Sequence, residues 1–137
     1  MRNLFLAALV LMATAAKAVP PMPPELARTT WRWVSLTTPE GALTIAEPER
    51  YILRFLDGGR VALRADCNRG AGSVVFPEPG AIRFGALAIT RAMCPPGSLG
   101  DRFAREVEHA SRWAIQRGEL RLELSGDAGV LRFAWQP

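Results

Sequence analysis

Lysine, histidine, tyrosine and cysteine are nearly missing from this 137-residue chain. It holds one lysine, one histidine, one tyrosine and two cysteines. The lysine is Lys17, in a segment read below as removed, so lysine Schiff-base or general-base chemistry is excluded from the mature protein. A hydrolase needs a nucleophile, a base and an orienting group. His109 is the sole histidine, and no G-x-S-x-G occurs. Zinc needs three or four ligands, which two cysteines far apart do not suggest. No block of five or six like charges is present, which argues against a nucleic-acid patch. No repeat period marks a solenoid.

What is present describes a folded domain. Apolar residues make up 49% and charged residues 22%, which excludes a disordered or collagen-like chain. The length allows one domain. Sixteen of the 17 basic residues are arginine, a bias that reflects genome composition more than function. The arginines are scattered among 13 acids along the chain.

The amino terminus reads as an export signal over residues 1–18. Arg2 and Asn3 give a short positive region, Leu4 to Ala13 is a run of ten apolar residues, and Ala16-Lys17-Ala18 is a small-x-small site. Cleavage is expected before Val19. The apolar run is well short of the roughly 20 residues that span a bilayer, and no later segment is long enough. No cysteine follows the run, which argues against lipid attachment. The expected location is therefore periplasmic or secreted, with no integral membrane span once the signal is cut. Residues 19–25 form a proline-rich linker, V-P-P-M-P-P before Glu25, of extended polyproline character.

The remainder, residues 26–137, is one domain. Trp31 to Leu36 has strand composition. Tyr51 to Leu56 alternates with Tyr51, Leu53 and Phe55 on one face, and Asp57-Gly58-Gly59 turns it into Arg60 to Ala65. Asp66 to Gly72 is read as a loop, Ser73 to Phe76 as a short strand, and Ala81 to Phe84 as its return. Ser98 looks like a helix N-cap with Asp101 three residues on. Leu99, Phe103, Val107 and Ala110 then make the apolar stripe of a helix over residues 99–111. Residues 112–116, 120–124 and 130–135 are three last strands. The fold class is α+β: a curved, mainly antiparallel, barrel-like sheet of about eight short strands packed on one helix.

Cys67 and Cys94 lie in loops flanking the middle hairpin. In an exported protein two cysteines imply one disulfide. It would close about 28 residues and contribute roughly 3.5 kcal/mol by chain entropy. Free thiols or a metal pair are the rival readings. Four tryptophans, Trp31, Trp33, Trp113 and Trp135, are many for this size. Either they fill the core, or some line a groove. Trp31 and Trp33 share a strand face and are the candidates for a groove able to take an acyl chain. Ser73, Ser98, Ser111 and Ser125 fall in a strand, a cap, a helix end and a turn, and Glu106 and Glu108 point to different helix faces. Gly70 and Gly72 lack the strand-glycine-helix context of a phosphate loop.

The order of these features resembles the META domain, also called the HslJ-like domain. A tryptophan-bearing first strand is followed by Cys67-Asn68-Arg69-Gly70 with Gly72 after it, then by Thr90-Arg91-Ala92-Met93-Cys94, a helix and a final pair of strands. The resemblance covers about residues 26–135. Members typically carry G-C-N and T-R-M-A-C. Here Asp66 stands where glycine is usual, and Met93 stands where many members have alanine. The resemblance implies a curved antiparallel sheet on a helix, in exported envelope proteins linked to heat shock, antibiotic tolerance or secretion. It brings no catalytic residues and no cofactor. The motif positions Asn68, Arg69, Thr90 and Arg91 are expected to be structural: Asn68 in a left-handed or Asx turn, Thr90 bonding loop backbone, Arg91 pairing with Asp66.

The expectation is a non-enzymatic, monomeric envelope protein. Its role would be stress-related binding of another envelope protein, the alternative being carriage of a small lipophilic ligand.

Overall fold

Alternation of apolar and polar residues sets most of the strands in the computed structural model, which describes residues 8–15 and 18–137. The signal features at Arg2, Asn3, Leu4 to Ala7, Ala16 and Lys17 lie outside the described residues. In chain order the elements are β1 (Thr30–Thr38), β2 (Gly41–Thr44), β3 (Tyr51–Leu56), β4 (Arg60–Ala65), β5 (Asn68–Val75), β6 (Arg83–Phe84) and β7 (Ala88–Ile89). After them come α1 (Gly100–Glu108), β8 (Ala110–Gln116), β9 (Glu119–Leu124) and β10 (Val130–Gln136).

The sheet runs β6-β5-β4-β3-β1-β10-β9-β8, with β2 paired to β1 and β7 to β5, and every pairing is antiparallel. Its two edges meet. Ala81 bridges Arg112, the Ile82 N–H donates to Ser111 O at 3.0 Å, and the Trp113 N–H donates to Gly80 O at 3.0 Å. The result is a nearly closed barrel. A register shift between Trp33 and Ser35 lets β1 change partners: Thr30–Arg32 pair with β3, and Ser35–Thr38 pair with β2.

Inward positions fill the barrel. Trp33, Phe55, Phe103, Phe133, Leu53, Leu120, Leu122 and Leu131 are fully buried. Each such side chain contributes about 1.5–3 kcal/mol of transfer free energy. Helix α1 lies against β4 and β6 and sends Phe103 and Val107 into this interior. The Phe103 ring stacks on Trp33 at 5.2 Å and meets Tyr51 edge-on at 5.8 Å. At the start of α1, a Cβ on Gly100 would come within 2.6 Å of the Ala65 carbonyl oxygen. Only glycine lets the helix dock so closely on the end of β4.

Several boundaries differ from the sequence reading. Ten strands form rather than about eight, because the short β2 and β7 carry too few residues to show a period. The helix spans 100–108, not 99–111. Its C-cap is His109, and Ala110 and Ser111 open β8, where Ala110 pairs with Leu124. Ala110 is buried as the stripe required, but as a strand residue. The N-cap is Leu99. Ser98 instead accepts the Gly100 N–H on its Oγ at 3.2 Å, while the Leu99 N–H donates to the Tyr51 hydroxyl at 2.9 Å. Residues 66–72 are not a loop: only Asp66 and Cys67 turn, and β5 begins at Asn68. Gly70 and Gly72 are strand residues facing inward. A Cβ there would meet the Ile89 Cγ1 at 2.9 Å and the Leu87 Cδ2 at 2.8 Å. Glycine makes room for side chains packed beneath the strand, a use that looks like a loop in sequence.

Candidate functional site

The motif residues converge where β4 turns into β5. Asp66 adopts φ 61°, the left-handed region. Glycine takes that conformation without strain, and aspartate is among the few other residues that tolerate it. Asp66 thus holds a turn that glycine would make without strain. Cys67 follows and is disulfide-bonded to Cys94, with the Cα atoms 5.5 Å apart.

Asn68 is buried, at 6% exposure, and does not make an Asx turn. Its amide reaches across to the segment before Cys94. Oδ1 accepts the Thr90 hydroxyl at 2.8 Å and the Ala92 N–H at 2.8 Å. Nδ2 donates to the Ala92 carbonyl at 2.9 Å. Thr90 also accepts the Arg69 N–H on Oγ1 at 3.0 Å, and its own N–H donates to Arg69 O at 3.0 Å. Side chains thus extend the β5–β7 pairing beyond its last backbone rung. With Nδ2 also donating to Cys94 Sγ at 3.4 Å, the asparagine engages all of its amide's bonding sites in a buried place, where an unmade bond costs about 1–3 kcal/mol.

Arg91 does not pair with Asp66. Arg50 does, with Nε 3.6 Å from Asp66 Oδ1. Register explains this: Tyr51 pairs with Ala65, so Arg50 stands beside Asp66, and the Asp66 N–H donates to Arg50 O at 2.8 Å. The second oxygen, Oδ2, is buried with no partner.

The disulfide and the asparagine clamp leave the rest of the 91–97 loop facing solvent. Met93 is 99% exposed. Beside it is an open depression of about 430 Å³ lined by Asn68, Arg91, Cys94, Ser98 and Asp101 among others. A second, of about 280 Å³, continues along α1 past Arg91, Asp101, Arg105, Leu87 and Glu108. Arg91 and Asp101 line both, so the two form one shallow groove between the loop and the helix. The Leu87 N–H donates to Glu108 Oε1 at 2.8 Å and ties the groove's far end. The sequence reading missed Asp101, Arg105 and Glu108 as groove residues. Their three- and four-residue spacing was the available signal.

The tryptophan candidates belong elsewhere. Trp31 and Trp33 do share a face, but at 3% and 0% exposure they are packed inside the barrel and line no open groove. Their indole N–H groups donate to Thr29 Oγ1 at 2.7 Å and Ser35 O at 2.9 Å. His109 is exposed at the end of α1, where its carbonyl accepts the Ser125 hydroxyl at 3.0 Å. The Ser111 hydroxyl donates to the Glu123 carbonyl at 3.4 Å. No group of three or more histidine, cysteine, aspartate or glutamate side chains placed to hold a metal occurs among the described residues. No helix among them is long and apolar enough to cross a membrane.

Comparison with known proteins agrees with this geometry. The model of the META domain family matches residues 24–136. An NMR structure of a protein from Burkholderia xenovorans superposes with a TM-score of 0.67 at 22% identity, covering 91% of this chain and 96% of that one. A crystal structure of a DUF4847 family protein from Bacteroides vulgatus has a TM-score of 0.57 at 12% identity, covering 80% and 93%. At such identities the likeness is one of fold. No curated protein matches the chain.

Proposed function

This chain belongs to the META domain family, and on that premise we propose that it is an exported, non-enzymatic binding protein of the cell envelope, with a role in stress tolerance or assembly. Its partner is another envelope protein, gripped by the 91–97 loop and the groove beside it. One observation carries the reading: a disulfide and a buried, fully hydrogen-bonded asparagine are both committed to fixing a loop whose Met93 is 99% exposed. Fixing a loop before binding lowers the ordering cost of association. Methionine suits such a surface because its flexible thioether adapts to a partner. Export is supported by the disulfide, which persists in oxidising compartments, and by the signal-like amino terminus. The Ser98, Ser111 and Ser125 hydroxyls bond to backbone, which favours binding over hydrolysis.

The test is site-specific photo-crosslinking in living cells, with the photoreactive residue at Met93 and, as control, at Val75. A discrete adduct from position 93 that disappears in Cys67→Ala/Cys94→Ala supports the reading. No adduct, or the same adducts from both positions, contradicts it.

A further inference from the structure

Arginines scattered along the sequence collect on the outside of the barrel. Outward positions of β5, β4, β3, β1 and β10 carry Arg69, Arg60, Arg64, Arg54, Arg32 and Arg132, and none of these outward positions is acidic. The register joins them into a band. Arg69 stands opposite Arg64, Ile52 lies between Arg64 and Arg32, and Arg132 stands opposite Arg121 of β9. Like charges directly opposite one another destabilise a sheet. Two arginine-over-arginine pairs are therefore a cost to the fold, offset in part by the Arg132–Glu119 ion pair and by Arg64 Nε donating to Asp66 O at 3.2 Å.

At its β9 end the band meets Glu119 and Glu123, which flank Arg121 on the outward face, and other carboxylates are engaged away from it. Asp57 pairs with Arg28 at 3.0 Å and raises that guanidinium's pKa by hydrogen bonding and charge. Glu47 pairs with Arg50 and Glu106 with Arg102. Among the described residues only Arg132 of the six meets a carboxylate, Glu119 at 3.2 Å. The Arg32 Nε is buried with no partner. At the β9 end, Arg117, Arg121, Arg132, Gln116 and Glu119 line an open depression of about 790 Å³.

We propose that this face binds a linear anionic polysaccharide through its carboxylate or sulfate groups. Adjacent strands lie about 4.8 Å apart, so along the line Arg69, Arg64, Ile52, Arg32 the charges stand one and then two strand spacings apart, and Arg54 and Arg60 flank that line on neighbouring rungs, a spacing that charges along an extended sugar chain can match. Guanidinium forks match carboxylate and sulfate oxygens two at a time. The face curves with the barrel. A flexible chain follows that curve, whereas a flat bilayer touches only part of it. Between the arginines lie Ala62, Ala71, Ala134 and the buried Ile52, and the larger apolar side chains Leu56 and Val75 are too few and too far apart to anchor the face in lipid. Single-stranded nucleic acid wants successive aromatic platforms, and the only exposed ring on these strands is Trp135, at the end of β10.

The experiment measures binding of the purified, disulfide-intact protein to heparin and to polygalacturonate across a salt series. A single-stranded oligonucleotide and phosphatidylglycerol vesicles are measured in parallel. Binding of at least one polysaccharide, weakening with salt, is expected. Arg54→Gln/Arg69→Gln lowers that affinity about tenfold, as the loss of two exposed charge contacts implies. The charge-matched Arg28→Gln/Arg102→Gln, off the band, leaves it within about twofold. Should the first pair disturb the thermal melt, Arg60→Gln/Arg132→Gln reads the same face. The proposal is overturned if neither polysaccharide binds at low salt, if the off-band variant weakens binding equally, or if vesicles or oligonucleotide bind more tightly.

Discussion

Asn68 holds Ala92 by both ends of its amide, accepting the Ala92 N–H at 2.8 Å and donating to the Ala92 carbonyl at 2.9 Å. Replacing it removes both bonds and the one from Thr90. Asn68→Ala is expected to cost about 2–4 kcal/mol, since the Ala92 groups lose buried partners. Urea denaturation measures it; a loss below about 1 kcal/mol would show that water replaces the clamp.

The disulfide acts on the same segment through the unfolded chain. Cys67→Ala/Cys94→Ala is expected to lose about 3.5 kcal/mol. Limited proteolysis should then cut within 91–97 sooner than in the parent. An unchanged melt and an unchanged cleavage pattern would assign the loop's order to Asn68 alone.

Asp66 combines a left-handed backbone with a buried, unpartnered carboxylate oxygen. Asp66→Gly relieves both and gives up the 3.6 Å contact with Arg50. The expected balance is a gain of about 0.5–1 kcal/mol. A loss of more than about 1 kcal/mol in the same denaturation experiment would mean that the ion pair dominates.

Gly100→Ala places a methyl 2.6 Å from the Ala65 carbonyl oxygen. Backbone lies on both sides, so the helix must lift. A loss of about 2–3 kcal/mol is expected, with weakened near-ultraviolet circular dichroism as Trp33 and Phe103 unstack. Unchanged stability would mean that α1 slides along β4 without cost.

Arg69→Glu turns the Arg69–Arg64 rung into an opposite-charge pair. It should stabilise the fold by about 0.5 kcal/mol at low salt, with the gain fading as salt rises. A destabilised variant would show that the two guanidiniums already sit apart.

Much of this architecture is legible in the sequence because β3, β4 and β9 alternate cleanly. The structure assigns them Tyr51–Leu56, Arg60–Ala65 and Glu119–Leu124. The disulfide follows from two cysteines and a signal-like start. Other parts are hidden for physical reasons. Gly70 and Gly72 are used for close packing, which sequence patterns do not separate from looping. The helix ends two residues before its apolar stripe does, because Ala110 is buried equally well as the first rung of β8. Asn68 works through Ala92, whose backbone carries no sequence signature. The arginine band is invisible along the chain because its members come from five strands, one or two from each, that only the sheet order and register bring side by side.

The most direct test of the central claim is native mass spectrometry of the protein purified from its own periplasmic fraction. The account predicts a chain beginning at Val19, two hydrogens lighter than the dithiol form, in complex with a second protein. An unprocessed chain with two free thiols and no protein bound would contradict it.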